Sequence, residues 1–201
     1  DGIQRGISPD LKEAFIVDRS TITEKQLENF KIHKTVTGGV DVKKYVILDN
    51  DKHILYIGKK DDPDSIPKII NHIAEYKDKI TCTEVKQGKH PFYSLHRTRD
   101  ENIFVKPEKI LGVITGDKII TVVDTDKIYP TDGLYLFSAK AGHNRALSTI
   151  LNSKLITFLY RLISSESNRT MAQVKPVLVS KIPMVIPDNN SIQKLEGYYN
   201  Q

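Results

Sequence analysis

The sequence predicts an α+β domain: a mostly antiparallel sheet with one long helix and a few shorter ones. Three observations predict it. Three runs rich in β-branched and aromatic residues, "KILGVIT", "KIITVVD" and "GLYLFS", follow one another with polar turns between them. Two other windows repeat apolar residues at helical spacing. Apolar residues make up 39% and charged residues 27% of 201 residues, an ordinary globular balance with enough chain for one sizeable core.

In chain order, "EAFIVD" (residues 13–18) and "KKYVILD" (residues 43–49) read as short strands. Gly38-Gly39 reads as a loop, and a turn at Asn50 and Asp51 predicts a hairpin from Tyr45 to Ile57. "DDPDSIPKIINHIAEYKDKI" predicts a helix, with Asp64 or Ser65 as N-cap and Pro67 in the first turn. Ile66, Ile69, Ile70 and Ile73 give it an apolar face. The three strand-like runs then predict an antiparallel meander with corners at Gly116-Asp117 and Asp132-Gly133. The longest helix is expected from Asn144 to Ile163, carrying one stripe of Leu147, Ile150, Leu151, Leu155, Phe158, Leu159 and Leu162. "KIPMVIP" predicts a last strand, which its prolines confine to an edge.

Charge is unevenly placed. The net charge is +5. Residues 139–181 hold seven Lys/Arg against one acid, Glu166, and residues 85–99 hold four Lys/Arg and no acid. The remainder is therefore net acidic. Such segregation points to an electropositive face and a polyanionic partner, or to basic residues that merely cover solvated faces. One cysteine, Cys82, excludes an intramolecular disulfide and any multi-cysteine metal site, which suits a reducing cytoplasm. No run of about 18 apolar residues exists to span a membrane.

Catalytic signatures are sparse. The chain has no GxGxxG, GK[ST] loop, HExxH or GxSxG. Pro63-Asp64 followed by Glu84-Val85-Lys86 fits the loose PD…ExK pattern of a metal-dependent nuclease, but Asp64 reads equally well as a helix cap. His90 and His96 with Cys82 have no usual ligand spacing, so no metal site is expected.

Two segments suit nucleic-acid recognition better. In "HPFYSLHRTRD", Arg97 and Arg99 would share one side of an extended chain, with His96 and Thr98 on the other. Phe92 and Leu95 read as core residues; Tyr93, a DNA-binding candidate together with His96, Arg97 and Arg99, reads equally well as a partly buried aromatic with its hydroxyl at the rim. The second segment, "SSESNRTMAQVK", offers Ser167, Asn168, Arg169, Gln173 and Lys175. Arginine can pair with guanine and glutamine with adenine, while lysines mostly meet phosphates. Lys86, Lys89, Lys140, Lys154, Lys175 and Lys181 are the phosphate candidates.

Six blocks of the chain, in order, resemble one family. "DGIQRGISPDLKEAFIVD" resembles the start of the C-terminal target-recognition domain of TaqI-like adenine DNA methyltransferases, through Gly2, Ile3, Gly6 and residues 14–18. Gly39, Asp41, Val42, Lys44 and Tyr45 resemble its "G-x-D-[IV]-x-[KR]-[YW]" segment. Pro67, Ile69, His72, Ile73, Tyr76 and Lys77 are similar to a family helix. "HPFYSLHRTRD…FVKPEKILGVIT" is similar to its aromatic-and-arginine block and "KPKI" turn, "ILNSKLITFLYRLIS" to its "ILNSKL" helix, and "KIPMVIP" to its closing "IPIP" strand. Phe92 stands where the family often has Trp.

The resemblance implies a division of labour. The family's catalytic half carries an Asn-Pro-Pro-Tyr-type motif and a Gly-containing cofactor strand, and this chain has no Pro-Pro. The expectation is a domain over residues 1–201, with 1–12 as a linker from an N-terminal methyltransferase domain and 188–201 as a C-terminal tail. It would choose the site on double-stranded DNA; the catalytic domain would hold S-adenosylmethionine and act on an extruded base. Two other functions compete: the PD…ExK nuclease using Asp64, Glu84 and Lys86, and a basic scaffold that docks another protein.

Overall fold

At the centre of the molecule lies β7, Lys109–Val113, whose five residues are all buried. The computed structural model describes residues 2–139, 142–165, 169–184 and 187–200. The first five strands are β1 (Gln4–Arg5), β2 (Ile16–Val17), β3 (Ile32–Lys34), β4 (Val42–Lys43) and β5 (Val46–Ile47). The others are β6 (His53–Leu55), β7, β8 (Thr121–Asp124) and β9 (Leu134–Phe137). They form a four-stranded sheet ordered β1-β9-β7-β8, a three-stranded sheet β2-β6-β3 and the pair β4-β5, all antiparallel. The longer helices are α1 (Pro67–Ala74), α2 (Asn144–Leu151), α3 (Lys154–Ile163) and α4 (Asn189–Tyr199). The α+β class is as predicted.

The main sheet is buried on both faces, and its side chains alternate between two cores. Leu111, Val113, Val122, Leu134 and Leu136 join the core built on Ile54, Leu55, Ile69 and Ile73. Ile110, Ile114, Val123, Tyr135 and Phe137 join the other, with Leu151, Ile156 and Tyr160. Gly112 is required where it stands: a Cβ there would lie 2.1 Å from the Tyr135 ring. At the far end of the β7-β8 pair, Lys109 and Asp124 form a fully buried ion pair. Lys109 Nζ also donates to Phe104 O (2.8 Å), and the Asp124 carboxylate accepts from Asp126 N (2.8 Å) and Ile128 N (2.9 Å). Both charges are thereby compensated. Burial pulls the Lys109 pKa below its ordinary value.

The three runs form strands, but not a meander, because β7 and not β8 lies in the middle. The tight turn at Gly116-Asp117 makes β7 and β8 a hairpin. The longer connection into β9 is tied to the end of β3 and the residues just after it, by Tyr129 N to Lys34 O (3.0 Å) and Thr131 N to Val36 O (3.1 Å). It delivers β9 to the other side of β7.

The long helix is broken at Asn152-Ser153. Asn152 faces the edge strand β8 and grips Thr121 on both sides, Oδ1 accepting from its N–H and Nδ2 donating to its C=O, each at 2.8 Å. Ser153 then caps α3 by accepting from Ile156 N (3.1 Å). The expected stripe therefore fails beyond the break: Ile156 and Tyr160 are buried, whereas Leu155, Phe158 and Leu162 are exposed.

Other boundaries also move. Of "EAFIVD", Glu13, Ala14 and Phe15 belong to a helical turn, Lys12–Phe15, and only Ile16–Val17 is strand. The Gly38-Gly39 loop is a helical turn, Gly38–Asp41. The hairpin turns at Lys44-Tyr45, with Tyr45 left-handed (φ 65°), while β6 pairs with β2 and β3 instead. Asp62, not Asp64 or Ser65, caps a 3₁₀ turn over Pro63–Ser65. The start of α1 is capped from a distance, Lys68 N and Ile69 N each donating to the Glu28 carboxylate at 2.9 Å. The expected last strand is absent from its described residues: Lys181 and Ile182 lie in a turn, and 185–186 fall outside the described residues. At the two chain ends, Gln4–Arg5 pair with β9, and the Tyr199 hydroxyl oxygen of α4 accepts from Val123 N at 2.6 Å.

Candidate nucleic-acid interface

The site grows from one edge strand. Arg5 is exposed on β1. Gly6 follows it against the backbone of Thr131, where a Cβ would lie 2.2 Å from the Thr131 oxygen. Only a glycine lets the chain run this close. Ser8 and Arg97 then pair, each N–H donating to the other's carbonyl at 3.1 Å. So β1 and the first basic segment are clamped together.

Arg97 is exposed there, on extended backbone, as the alternation requires. Arg99 is not extended. Its φ of 69° is left-handed, so the expected alternation stops at this residue. Its Nε donates to Gly6 O (3.1 Å) and it is half-buried. Burial, and then Arg97 and Arg5 nearby, hold its pKa below the usual arginine value; Asp132 opposes them. Asp132 Oδ2 accepts from the Ser8 hydroxyl at 3.0 Å.

Upstream, Leu95 is buried and donates its N–H to Ile57 O (2.9 Å). This lays the segment beside the turn Gly58-Lys59-Lys60. A hollow of about 520 Å³ lies between them, lined among others by Lys59, Lys60, His96, Arg97 and Arg99. Phe92 and Tyr93 are partly buried against the core and meet edge to face, with Lys77 Nζ 5.2 Å from the Phe92 ring centre. His96 is half-buried and sits edge-on to the buried His90. Lys86 and Lys89 are exposed around the short helix Thr83–Lys86. Glu84 on that helix lies 3.8 Å from Lys59 Nζ and 3.9 Å from His90 Nδ1.

The second segment reaches the same end of the sheet. Gly116 N donates to Ala172 O (2.8 Å) and Val174 N to Ile114 O (2.6 Å), which fixes residues 172–174 along the exit of β7. Ala172 and Val174 are buried, so Gln173 and Lys175 are turned outward. The Tyr160 hydroxyl locks the strip, donating to Gln173 O (3.3 Å) and accepting from Lys175 N (2.9 Å). Arg169 is exposed just before it. Lys175 and Arg5 line one shared concavity of about 610 Å³. Arg5 thus joins two basic segments that lie far apart in sequence.

Lys181 is exposed directly after Ser180, which lines the same concavity. Not every candidate converges here. Lys154 opens α3 beside Asn152, on the β8 edge, whereas Arg5 is on the opposite edge of the sheet. Three strand spacings, about 14 Å, separate those edges. Lys140, Ser167 and Asn168 lie outside the described residues.

The nuclease constellation is not assembled. Asp64 sits in a 3₁₀ turn and Glu84 and Lys86 on a short helix, not on the neighbouring strands such a site needs. Among the described residues no cluster of three His, Cys, Asp or Glu side chains is placed to hold a metal.

Sequence reasoning missed Arg5, Lys59 and Lys60. Arg5 lies in a stretch assigned to a linker, and Lys59-Lys60 is masked by the acids of "DDPD" directly after it. Counting charge in a shorter window would have exposed the lysine pair.

Among solved structures, the type IIL restriction-modification enzyme MmeI, determined in complex with DNA, has a similar fold. The TM-score is 0.71 at 13% identity, over 99% of this chain and 27% of that one, so this chain spans about a quarter of that protein's length. A comparison with curated proteins finds no match. A family profile, the TaqI-like C-terminal specificity domain, matches residues 34–184, the greater part of the chain. The chain belongs to the TaqI-like C-terminal specificity domain family.

Proposed function

We propose that this chain is a DNA-recognition module of a restriction-modification enzyme and that it chooses the site on duplex DNA. The observation that carries the reading is the convergence at Arg5: Arg97 and Arg99 on one side, Lys175 on the other, at one end of one sheet. The family and the DNA-bound fold relative support it. Arg97 and the 169–175 strip would stand nearest base edges, and Lys86, Lys89, Lys175 and Lys181 would meet phosphates.

The finer reading is that duplex DNA is positioned for an adenine-N6 methyltransferase domain of the same chain, in the cytoplasm. S-adenosylmethionine would be held by that domain. The cations that rim the two concavities at Arg5 and Arg97, and a sequence without a glycine-rich cofactor turn, support that assignment.

Equilibrium binding to duplex DNA over a range of salt tests the reading. Affinity should fall with a log–log slope of about −0.9 per phosphate contacted. Arg97→Ala should reduce the preference among duplex sequences. Salt-independent binding would sink the proposal.

A further inference from the structure

We propose that the hollow between the Gly58–Lys60 turn and residues 95–99 seats one backbone phosphate of the bound DNA, with Lys59 and Lys60 as its ligands. The inference rests on the DNA reading above. It adds two ligands that neither the charge runs nor the family motifs single out, and it moves Arg99 from base reading to the wall of this hollow.

The lining carries Lys59, Lys60, His96, Arg97 and Arg99 and no acid. The acids around it already have partners. Asp61 accepts from Lys31 Nζ (2.7 Å) and from Gly58 N (2.6 Å), which also fixes the turn that carries the lysines. Asp132 accepts from Ser8, and Glu84 reaches Lys59 at 3.8 Å, half-exposed. Cations held together in a recess repel one another, and a bound anion relieves that repulsion.

The shape selects a phosphate over a base edge. Bases are read from within a groove, by a side chain that projects from the protein. Lys59 and Lys60 flank a recess, which suits the convex sugar–phosphate chain. Lysine is also a point charge without the planar fork that discriminates bases. Arg99 cannot swing out as a reader while its left-handed backbone and its Nε bond to Gly6 O hold it. Arg97, exposed at the rim, keeps the base-facing role.

The test compares the protein with its K59Q/K60Q variant and with K194Q, which removes an exposed lysine from α4. Affinity for several unrelated duplexes is measured across salt. The K59Q/K60Q variant should bind every duplex more weakly by one common factor, about tenfold, and its log–log slope should shrink by about 0.9 for the lost phosphate. K194Q should leave the slope unchanged. An unchanged slope in K59Q/K60Q, an equal loss in K194Q, or a changed ranking of the duplexes would each overturn the phosphate assignment. Those outcomes leave the DNA reading standing. Absence of salt-dependent DNA binding by the unaltered protein would remove both. Lys59 and Lys60 are exposed, so unchanged thermal midpoints should accompany the binding data.

Discussion

Gly6 shows how a single residue positions the candidate interface. Its missing side chain lets β1 lie against Thr131, and its carbonyl holds Arg99 while its neighbours carry Arg5 and pair with Arg97. Gly6→Ala should force the strand off this seat. Overpacking against backbone, which cannot rotate away, costs roughly 1–3 kcal/mol. The denaturant midpoint should fall accordingly, and DNA affinity should fall with it because three arginines shift together. Unchanged stability would show that the strand tolerates the displacement. Part of this site was legible in the sequence. Arg97, Arg99 and Lys175 stand out because their segments are strongly basic, residues 85–99 with no acid and residues 139–181 with one, Glu166. Arg5 did not, because its position depends on β1 pairing with β9, a contact made across most of the chain length. Nor could alternation foresee Arg99, whose backbone is left-handed and whose Nε is bonded to Gly6 O.

Among the secondary elements, strands were read better than helix boundaries. The runs that became β7, β8 and β9 are short, β-branched and punctuated by turns, all local properties. Their order is a tertiary property, set by where the connection before β9 is anchored. The α2-α3 break is tertiary too: apolar spacing continues through Asn152-Ser153, but Asn152 finds a better partner in Thr121 of β8 than in the helix. Asn152→Ala would leave the buried N–H of Thr121 without its side-chain partner, at about 1–3 kcal/mol, while the Thr121 C=O still accepts from Tyr45 N. A smaller loss, about 1 kcal/mol, is expected for Ser153→Ala, which removes only a cap. The break also rotates the buried face of α3. Phe158→Gln should therefore change stability by no more than about 0.5 kcal/mol. Ile156→Ala should cost about 2–4 kcal/mol. Thermal or urea unfolding of the pair decides it: a large loss from Phe158→Gln would restore the continuous helix.

For the whole molecule, the two cores share one sheet, so unfolding either uncovers a face of β7, and stability should respond to acid as one unit. The fold disfavours the charged form of three imidazoles. His33 stacks on Tyr129, His53 lies in β6, and His72 is buried on α1 next to Lys25. Burial is the leading cause of a lowered pKa in each; Lys25 adds to it at His72, while Glu101 opposes it at His33 and Asp51 at His53. The unfolded chain takes up protons near its ordinary histidine pKa of 6.5, and the folded chain takes them up only at lower pH. Stability is therefore full above that value and declines as pH falls through it towards the folded values. The carboxylates of Asp18, Asp41, Glu75 and Asp188, held below their ordinary values chiefly by hydrogen bonds to Thr21, Lys52, Lys25 and Ser191, add a second decline at lower pH. At Asp41 those bonds overcome burial, the largest single influence, which acts the other way. Thermal midpoints between about pH 8 and pH 5 should thus be level at first and then fall below about pH 6.5. His72→Gln should flatten the upper part of that fall, since it removes one of the three groups that resist protonation. A midpoint independent of pH down to about 5 would mean that these histidines titrate alike in the folded and unfolded chains.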